Sequence, residues 1–395
     1  MLEAGPDRVS GSRASRTARV RRYAEALIPG KRAPGSLGDM NRRTVAAPAL
    51  LILTLALVAP SASAAPTSHR SSTTDRSGQI VWTLAPAGGQ NGHLLIARPD
   101  GSGQRSLTPD DPNVNDVDAV ISPNGKWALF ERDSGDTSEL RIVPTAGGPS
   151  RSLGLVCTGS CLADGRPTWL GDDRMAWTRY DGGDKYPNGY AGTLMSASLD
   201  DGTVSAIKRL SPDGPDGVFE DAYARLTPDG KYYVFERYST DTGDGAIFRM
   251  RRDRSAASQL TDFALNVDLP HISPATTGPT AGLVVFQTYG QGNPTGTSRD
   301  LATVPVSCAS LSACTAATHY VTSNGLGLGR ASNPSWSPDG LRITYAGRPS
   351  IDVVDCQIQT ISYDGSDVRT VSTSPLFDYR PDWGRTPGSG ATLGG

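Results

Sequence analysis

The chain repeats itself, and the repeat constrains the fold more than any other feature. Ile121-Ser122-Pro123-Asn124-Gly125-Lys126-Trp127-Ala128-Leu129-Phe130-Glu131-Arg132 aligns with Leu226-Thr227-Pro228-Asp229-Gly230-Lys231-Tyr232-Tyr233-Val234-Phe235-Glu236-Arg237. A third copy opens at Trp336-Ser337-Pro338-Asp339-Gly340 and runs through Ile343-Thr344-Tyr345, and weaker copies lie at Trp169 to Trp177 and at Ile272-Ser273-Pro274 leading to Leu283-Val284-Val285-Phe286. The spacing of about 50 residues is that of a propeller blade. Each copy has a local logic. Pro presets φ for a turn, Asp or Asn bonds the backbone with a short side chain, and Gly supplies a positive φ, so the tetrapeptide is a hairpin. The β-branched and aromatic residues after it read as a strand packed between sheets.

A second hairpin follows in every repeat, at Pro99-Asp100-Gly101, Ala146-Gly147-Gly148, Asp200-Asp201-Gly202, Asp253-Arg254-Ser255, Cys308 to Cys314 and Asp364-Gly365. Two hairpins per repeat make four strands, which is one blade, and six second halves make six blades. The first repeat starts at Gln79-Ile80-Val81-Trp82 without the opening P-x-W strand seen at Pro167-Thr168-Trp169 and Pro334-Ser335-Trp336. That strand reappears at the other end of the chain as Pro381-Asp382-Trp383-Gly384, so the C-terminal strand is expected to complete the first blade and cover two open edges. The fold class predicted is all-β: a six-bladed β-propeller of four-stranded antiparallel blades over residues 78–384, with a Gly-rich tail at 385–395. With 45 Gly, 29 Pro and 20% charged residues, the composition suits many short strands and tight turns.

These repeats resemble the WD40-like propeller units of the TolB family. The resemblance spans about residues 78 to 384 and rests on the three S-P-D-G-like hairpins, the three P-x-W strands and the terminal P-D-W-G. It implies the propeller fold. Propellers of this kind serve as binding platforms, as accessory domains of peptidases and, in some cases, as lyases. Members of the TolB family carry an α/β domain ahead of the propeller and work with envelope partners. Residues 65–77 here read instead as a Ser- and Thr-rich disordered linker.

Ahead of that linker, Asn41-Arg42-Arg43, an apolar run from Ala49 to Ala59 and Ala62-Ser63-Ala64 follow the order of a secretory signal peptide over residues 40–64. The run is too short for a permanent membrane span. Residues 1–39 are expected to be a non-native or disordered extension. Localisation is therefore expected to be secreted, extracellular or envelope-associated, without membrane insertion after cleavage. Five cysteines fit that route. Cys157 with Cys161 and Cys308 with Cys314 are each close enough in sequence to staple a loop, leaving Cys356 over. Beyond residue 64 the chain has 28 Lys and Arg against 36 Asp and Glu, a balance that disfavours nucleic acid and anionic lipid surfaces as partners.

Chemistry is harder to find. The sequence lacks a G-x-S-x-G nucleophile turn, which argues against a peptidase of the α/β-hydrolase type. His93, His271 and His319 fall in separate repeats, and His271, beside Pro270 at the start of a blade, is the one placed to face a central channel. Asp133, Asp136 and Glu139, Asp181 and Asp184, and Asp241 and Asp244 recur after second strands and offer oxygen ligands for calcium, although none forms a D-x-D-x-D-G loop. Polar turns use the same residues, and no cofactor is expected. Trp169, Trp336 and Trp383 recur at one repeat position and read as packing between blades. Tyr180, Lys185, Tyr186 and Tyr190, in the irregular third repeat, read as an exposed contact surface for a glycan or peptide. The expectation is a monomeric, non-catalytic binding module engaging an extracellular or envelope protein, or a cell-surface polymer. The competing expectation is a polysaccharide lyase or hydrolase with its site in the channel.

Overall fold

The computed structural model describes residues 77–388 apart from 87–90, 136, 184, 187–188, 213–216, 290–298, 324–329 and 349–355. The signal-peptide and extension assignments at 1–64, and all but the end of the linker at 65–77, lie outside the described residues. Six four-stranded antiparallel sheets form the predicted propeller. Blade 1 has the order β24 (Phe377–Gly384), β1 (Gln79–Ala85), β2 (His93–Ala97) and β3 (Arg105–Ser106); blade 2 runs from β4 (Val114–Ile121) through β5 (Trp127–Ser134) and β6 (Thr137–Pro144) to β7 (Arg151–Ser152). Blade 3 comprises β8 (Cys161–Gly171), β9 (Arg174–Gly182), β10 (Tyr190–Asp200) and β11 (Thr203–Arg209), and blade 4 β12 (Phe219–Leu226), β13 (Tyr232–Ser239), β14 (Gly245–Arg251) and β15 (Ser258–Gln259). Blade 5 comprises β16 (Val267–Ile272), β17 (Leu283–Thr288), β18 (Asp300–Pro305) and β19 (His319–Tyr320), and blade 6 β20 (Arg330–Trp336), β21 (Arg342–Arg348), β22 (Gln357–Ser362) and β23 (Arg369–Thr370).

Ring closure is as expected. Ile80 is opposite Trp383 and Gln79 opposite Gly384 in the β1–β24 ladder, while β24 packs between β20 and β4. The two ends of the chain therefore share one sheet, and β24 covers the edge of β1 that would otherwise be open.

The turn chemistry is repeated almost atom for atom. In three blades the Ser or Thr hydroxyl donates to the Asn or Asp two residues on: Ser122 to Asn124, Thr227 to Asp229 and Ser337 to Asp339. Each of those side chains then accepts from the backbone N–H two residues further on, and Gly125, Gly230 and Gly340 take φ of 75°, 69° and 71°. The fourth strands end in a second device: Thr108, Ser211, Thr261, Thr322 and Ser372 accept from a third-strand N–H through their side-chain oxygens.

The core lies between the blades. Six clusters of buried apolar side chains each join two neighbouring sheets. Strand alternation explains this: Val81 faces blade 2 while its neighbour Trp82 faces blade 6. The tryptophans of P-x-W do the expected packing. The indole of Trp169 donates to Val120 O at 3.0 Å and that of Trp336 to His271 O at 3.0 Å, each reaching the preceding blade. Both expected disulfides form, Cys157–Cys161 and Cys308–Cys314, and Cys356 is a buried free thiol. One turn differs from expectation. The enlarged turn of blade 5 folds into a short helix, α1 (Leu311–Ala317), with Ser310 as N-cap, and seats Cys314 in the core of blades 4 and 5.

Candidate functional site in the central channel

Each inner strand breaks its ladder at one equivalent position, with two further shifts in β8, and that shared break builds the channel wall. Register shifts fall at Val117/Val120, Gly165/Thr168, Ala222/Arg225, Asp268/His271, Ser332/Ser335 and opposite β24 at Val81/Thr83. At each break one non-glycine residue adopts the left-handed conformation: Asp118, Arg166, Tyr223, Leu269, Asn333 and Arg380, with φ between 53° and 56°. Four of these precede proline, which lacks an N–H and so forfeits nothing where the ladder is interrupted. An L-residue in this conformation costs roughly 1–2 kcal/mol, and surrounding contacts must hold it there. The preceding blade supplies those contacts. Glu131 accepts from Arg166 N at 2.9 Å, Glu236 from Leu269 N at 3.1 Å and Gln287 from Asn333 N at 2.8 Å. Thr83 and Thr178, at the same repeat position, instead donate to Asp116 O and Asp221 O of the next blade.

Five of the six left-handed residues line a recess bounded by all six inner strands, with about 50 Å³ of space for water-sized spheres. That is room for roughly three waters, too small to enclose a sugar ring. Arg380 donates to Tyr223 Oη at 2.8 Å across the channel and is ion-paired with Asp118. Arg166 is ion-paired with Glu220, and Tyr180 donates to the same carboxylate at 3.0 Å. Burial, then the charges of Asp133 and Asp118, push the Glu131 carboxyl up to about 8. Burial and Asp268 do the same to Glu236. Asp268 accepts from Tyr289 at 2.9 Å through one oxygen, while its Oδ1 is buried without a hydrogen bond.

One layer further along the inner strands lie Arg225, His271, Ser335 and Asp382. Ser335 Oγ is 3.2 Å from His271 Nε2 and donates to Asp382 Oδ1 at 3.0 Å; His271 Nε2 is 3.5 Å from the same oxygen. These are the residue types of a hydrolytic triad, but the wiring is wrong for one. Trp336 N donates to Nδ1 at 3.4 Å, so the hydrogen-bond pattern assigns the neutral ring's proton to Nε2, the nitrogen that faces Ser335. A nitrogen that carries a proton cannot take one from the hydroxyl. Burial and the nearby Arg225 keep the His271 pKa below its ordinary value despite Asp382. Asp382 also accepts from Ile121 N at 2.8 Å, and Arg225 comes within 3.9 Å of it. Residues from four other blades thus converge on one buried carboxylate of blade 1, which reads as a clasp for the ring.

His271 packs in this buried layer against Ser335, Trp336 and Asp382, while Leu269 and Pro270 of the same strand line the recess. The tyrosines correct the sequence reading. Tyr180, Tyr186 and Tyr190 are all buried, at 7%, 5% and 5% exposure, and only Lys185 of that group is exposed. Tyr180 points at Glu220 and packs against Tyr190 with ring centroids 6.3 Å apart, while Lys185 caps the Tyr186 ring at 4.7 Å. Tyr180 and Tyr190 belong to the β9–β10 ladder, which runs from Tyr190↔Gly182, and Tyr186 is held in the turn between the two strands by backbone bonds to Gly183 and Gly189. Of the acidic sets, Asp136 and Asp184 lie outside the described residues. Among the described residues no group of three or more His, Cys, Asp or Glu is placed to hold a metal ion. The ring of left-handed residues was missed in the sequence, although the residue before each P-x-W proline marks three of its members.

No protein-family profile and no curated protein sequence matches the chain. Solved structures do match. TolB from Acinetobacter baumannii superposes with a TM-score of 0.57 at 20% identity, covering 78% of this chain and 67% of that one. Hydrazine synthase from Kuenenia stuttgartiensis gives a TM-score of 0.57 at 15% identity over 83% of this chain, which spans 50% of the synthase chain. A chain of a nidogen/laminin complex gives 0.52 at 8% identity, covering 78% and 98%. Identities this low speak for the backbone alone. This chain has the six-bladed β-propeller fold of the TolB type.

Proposed function

We propose that this protein is a secreted, non-catalytic binding module whose channel mouth engages an extracellular or envelope protein, or a cell-surface polymer. The observation that carries the reading is the ring of six strained left-handed residues. Strain held in place by neighbouring blades, at a recess shared by all six, marks a surface kept for contact. Asp118, Arg380, Tyr223 and Asn333 present charged and polar groups there on rigid strands, which limits the ordering cost of association. Two disulfides in loops support an oxidising compartment. A monomer suffices, because the ring is closed within one chain.

The competing reading, a polysaccharide lyase or hydrolase, draws on Glu131 and Glu236. A carboxyl still protonated near neutral pH is what general acid catalysis of glycosidic cleavage requires. Both side chains already accept a backbone N–H from the next blade, which favours their being keys between blades.

The test is capture from culture medium and cell-wall extract on immobilised protein, with wild type and Asn333→Asp compared. Asp tolerates the left-handed conformation and leaves the backbone N–H to Gln287, so the fold is kept while the mouth gains a charge. A partner retained by the wild type and lost by the variant supports the reading. Equal capture by both moves the contact elsewhere, and turnover of a polymer in a substrate screen replaces the binding reading with the enzymatic one.

A further inference from the structure

We propose that Arg330 and Arg348, where the strand ends of blade 6 meet blade 5, form a phosphoryl-binding subsite for a phosphorylated ligand. Arg330 lies directly opposite Arg348 in the β20–β21 ladder. Opposed residues of an antiparallel pair point to one face with Cβ atoms about 5 Å apart, and like charges so placed are destabilising. Elsewhere three half-buried guanidiniums are forked onto carboxylates. Arg132 forks onto Asp116, Arg179 onto Asp164 and Arg237 onto Asp221. Among the described residues neither Arg330 nor Arg348 has a carboxylate partner. Arg348 donates through Nε to the Cys356 sulfur at 3.2 Å and lies 5.5 Å over the Phe377 ring, which orients it without neutralising it.

A third cation stands beside them. Ala331 N donates to Arg299 O at 3.0 Å, which brings Arg299 next to Arg330, and the Arg299 guanidinium lies 4.2 Å over the Tyr289 ring. Burial first, and then the charges of Arg299 and Arg348, push the Arg330 guanidinium below its usual value. A fixed cation pair of this kind is a site awaiting its anion. Both side chains are half-buried, so a ligand can reach them. The charge count selects the anion. One carboxylate satisfies one forked arginine at each of the three pairs above, so two guanidiniums facing together call for a group with close to two charges. A phosphate monoester carries about −1.5 to −2 at pH 7, with three acceptor oxygens for the arginine forks.

This inference deepens the binding-module reading and rests on it for the idea that a ligand exists. Inorganic phosphate is the probe, titrated calorimetrically against wild type, Arg330→Gln and Arg348→Gln, with acetate at matched ionic strength. The expected result is a saturable isotherm for wild type, weakened by at least about tenfold in each variant, and none with acetate. Without phosphate, Arg330→Gln is expected to melt no lower than wild type, since it relieves repulsion, and this separates lost binding from lost folding. Equal phosphate response in wild type and variants, or acetate matching phosphate, overturns the proposal. Phosphate is measured without a macromolecular partner, so failure here leaves capture at the channel standing, and failure of capture leaves the isotherm standing.

Discussion

Replacing Asp382 by Asn exchanges one carboxylate oxygen for an NH₂ at the point where five blades meet. One carboxylate oxygen accepts from Ile121 N at 2.8 Å; the other faces Ser335 Oγ at 3.0 Å, His271 Nε2 at 3.5 Å and the Arg225 guanidinium at 3.9 Å. Asn can keep the bond from Ile121 N, but its NH₂ then points at three donors. Arg225 Nε already lacks a hydrogen-bond partner, and the substitution leaves the whole guanidinium buried without a counter-charge. Removing one partner of a buried pair costs about 3–5 kcal/mol. For a domain of this size that is roughly a 6–20 °C fall in melting temperature. Calorimetry or urea unfolding at pH 7 measures it. Pairing Asp382→Asn with Arg225→Met restores much of the loss, because the uncompensated charge goes with it. The pH response has a definite sign. Although burial raises the Asp382 pKa, the bond from His271 and the charge of Arg225 bring it below 3.8, so its contribution is full above about pH 4 and is lost as pH falls through the folded-state value. The variant should lose that acid sensitivity. A cost under about 1 kcal/mol, or an unchanged acid profile, would refute the clasp.

Glu131 titrates the other way: its folded pKa is raised to about 8, so the native state favours the protonated form, and that contribution is lost as pH rises from the ordinary carboxylate range through about 8. Glu131→Gln, the residue type that Gln287 already places at this position in blade 5, is expected to keep the bond from Arg166 N and flatten unfolding free energy between pH 6 and 9; a variant as alkali-sensitive as wild type counts against the assignment. Gly125 and Gly230 share a turn and a φ but differ in surroundings. A Cβ at Gly125 would collide with the carbonyl oxygen of Arg385, whereas one at Gly230 meets only Arg252 Nη1 at 3.3 Å. Gly230→Ala should cost about 1 kcal/mol from backbone conformation alone, and Gly125→Ala clearly more, read by thermal melting. Equal costs would mean that the segment after β24 does not pack on that turn.

The architecture was legible because its signals are short-range. Pro, Asp and Gly at fixed offsets dictate hairpins wherever they occur, and Asp339 and Gly340 form the turn that their analogues form in blades 2 and 4. The closing strand could be read from a P-x-W motif missing at one end of the repeat and present at the other. His271 lies on the inner strand of blade 5, where Leu269 and Pro270 line the recess. The contact surface of Tyr180, Tyr186 and Tyr190 failed for the opposite reason: residues that the repeat does not require look exposed, but Tyr180 and Tyr190 lie in two long strands and Tyr186 is buried in the turn that joins them.

Blade number, strand order and ring closure thus followed from sequence alone, since each depends on backbone preferences spanning a few residues and then copied. Only the tertiary structure decided what the channel contains. His271, Ser335 and Asp382 sit in three blades and are separated by 47 to 64 residues between successive partners. Radial assembly brings equivalent positions of every repeat to one axis, and the bulge in each inner strand selects which side chain arrives there. The charge on each depends on its neighbours across the axis, which are remote in sequence.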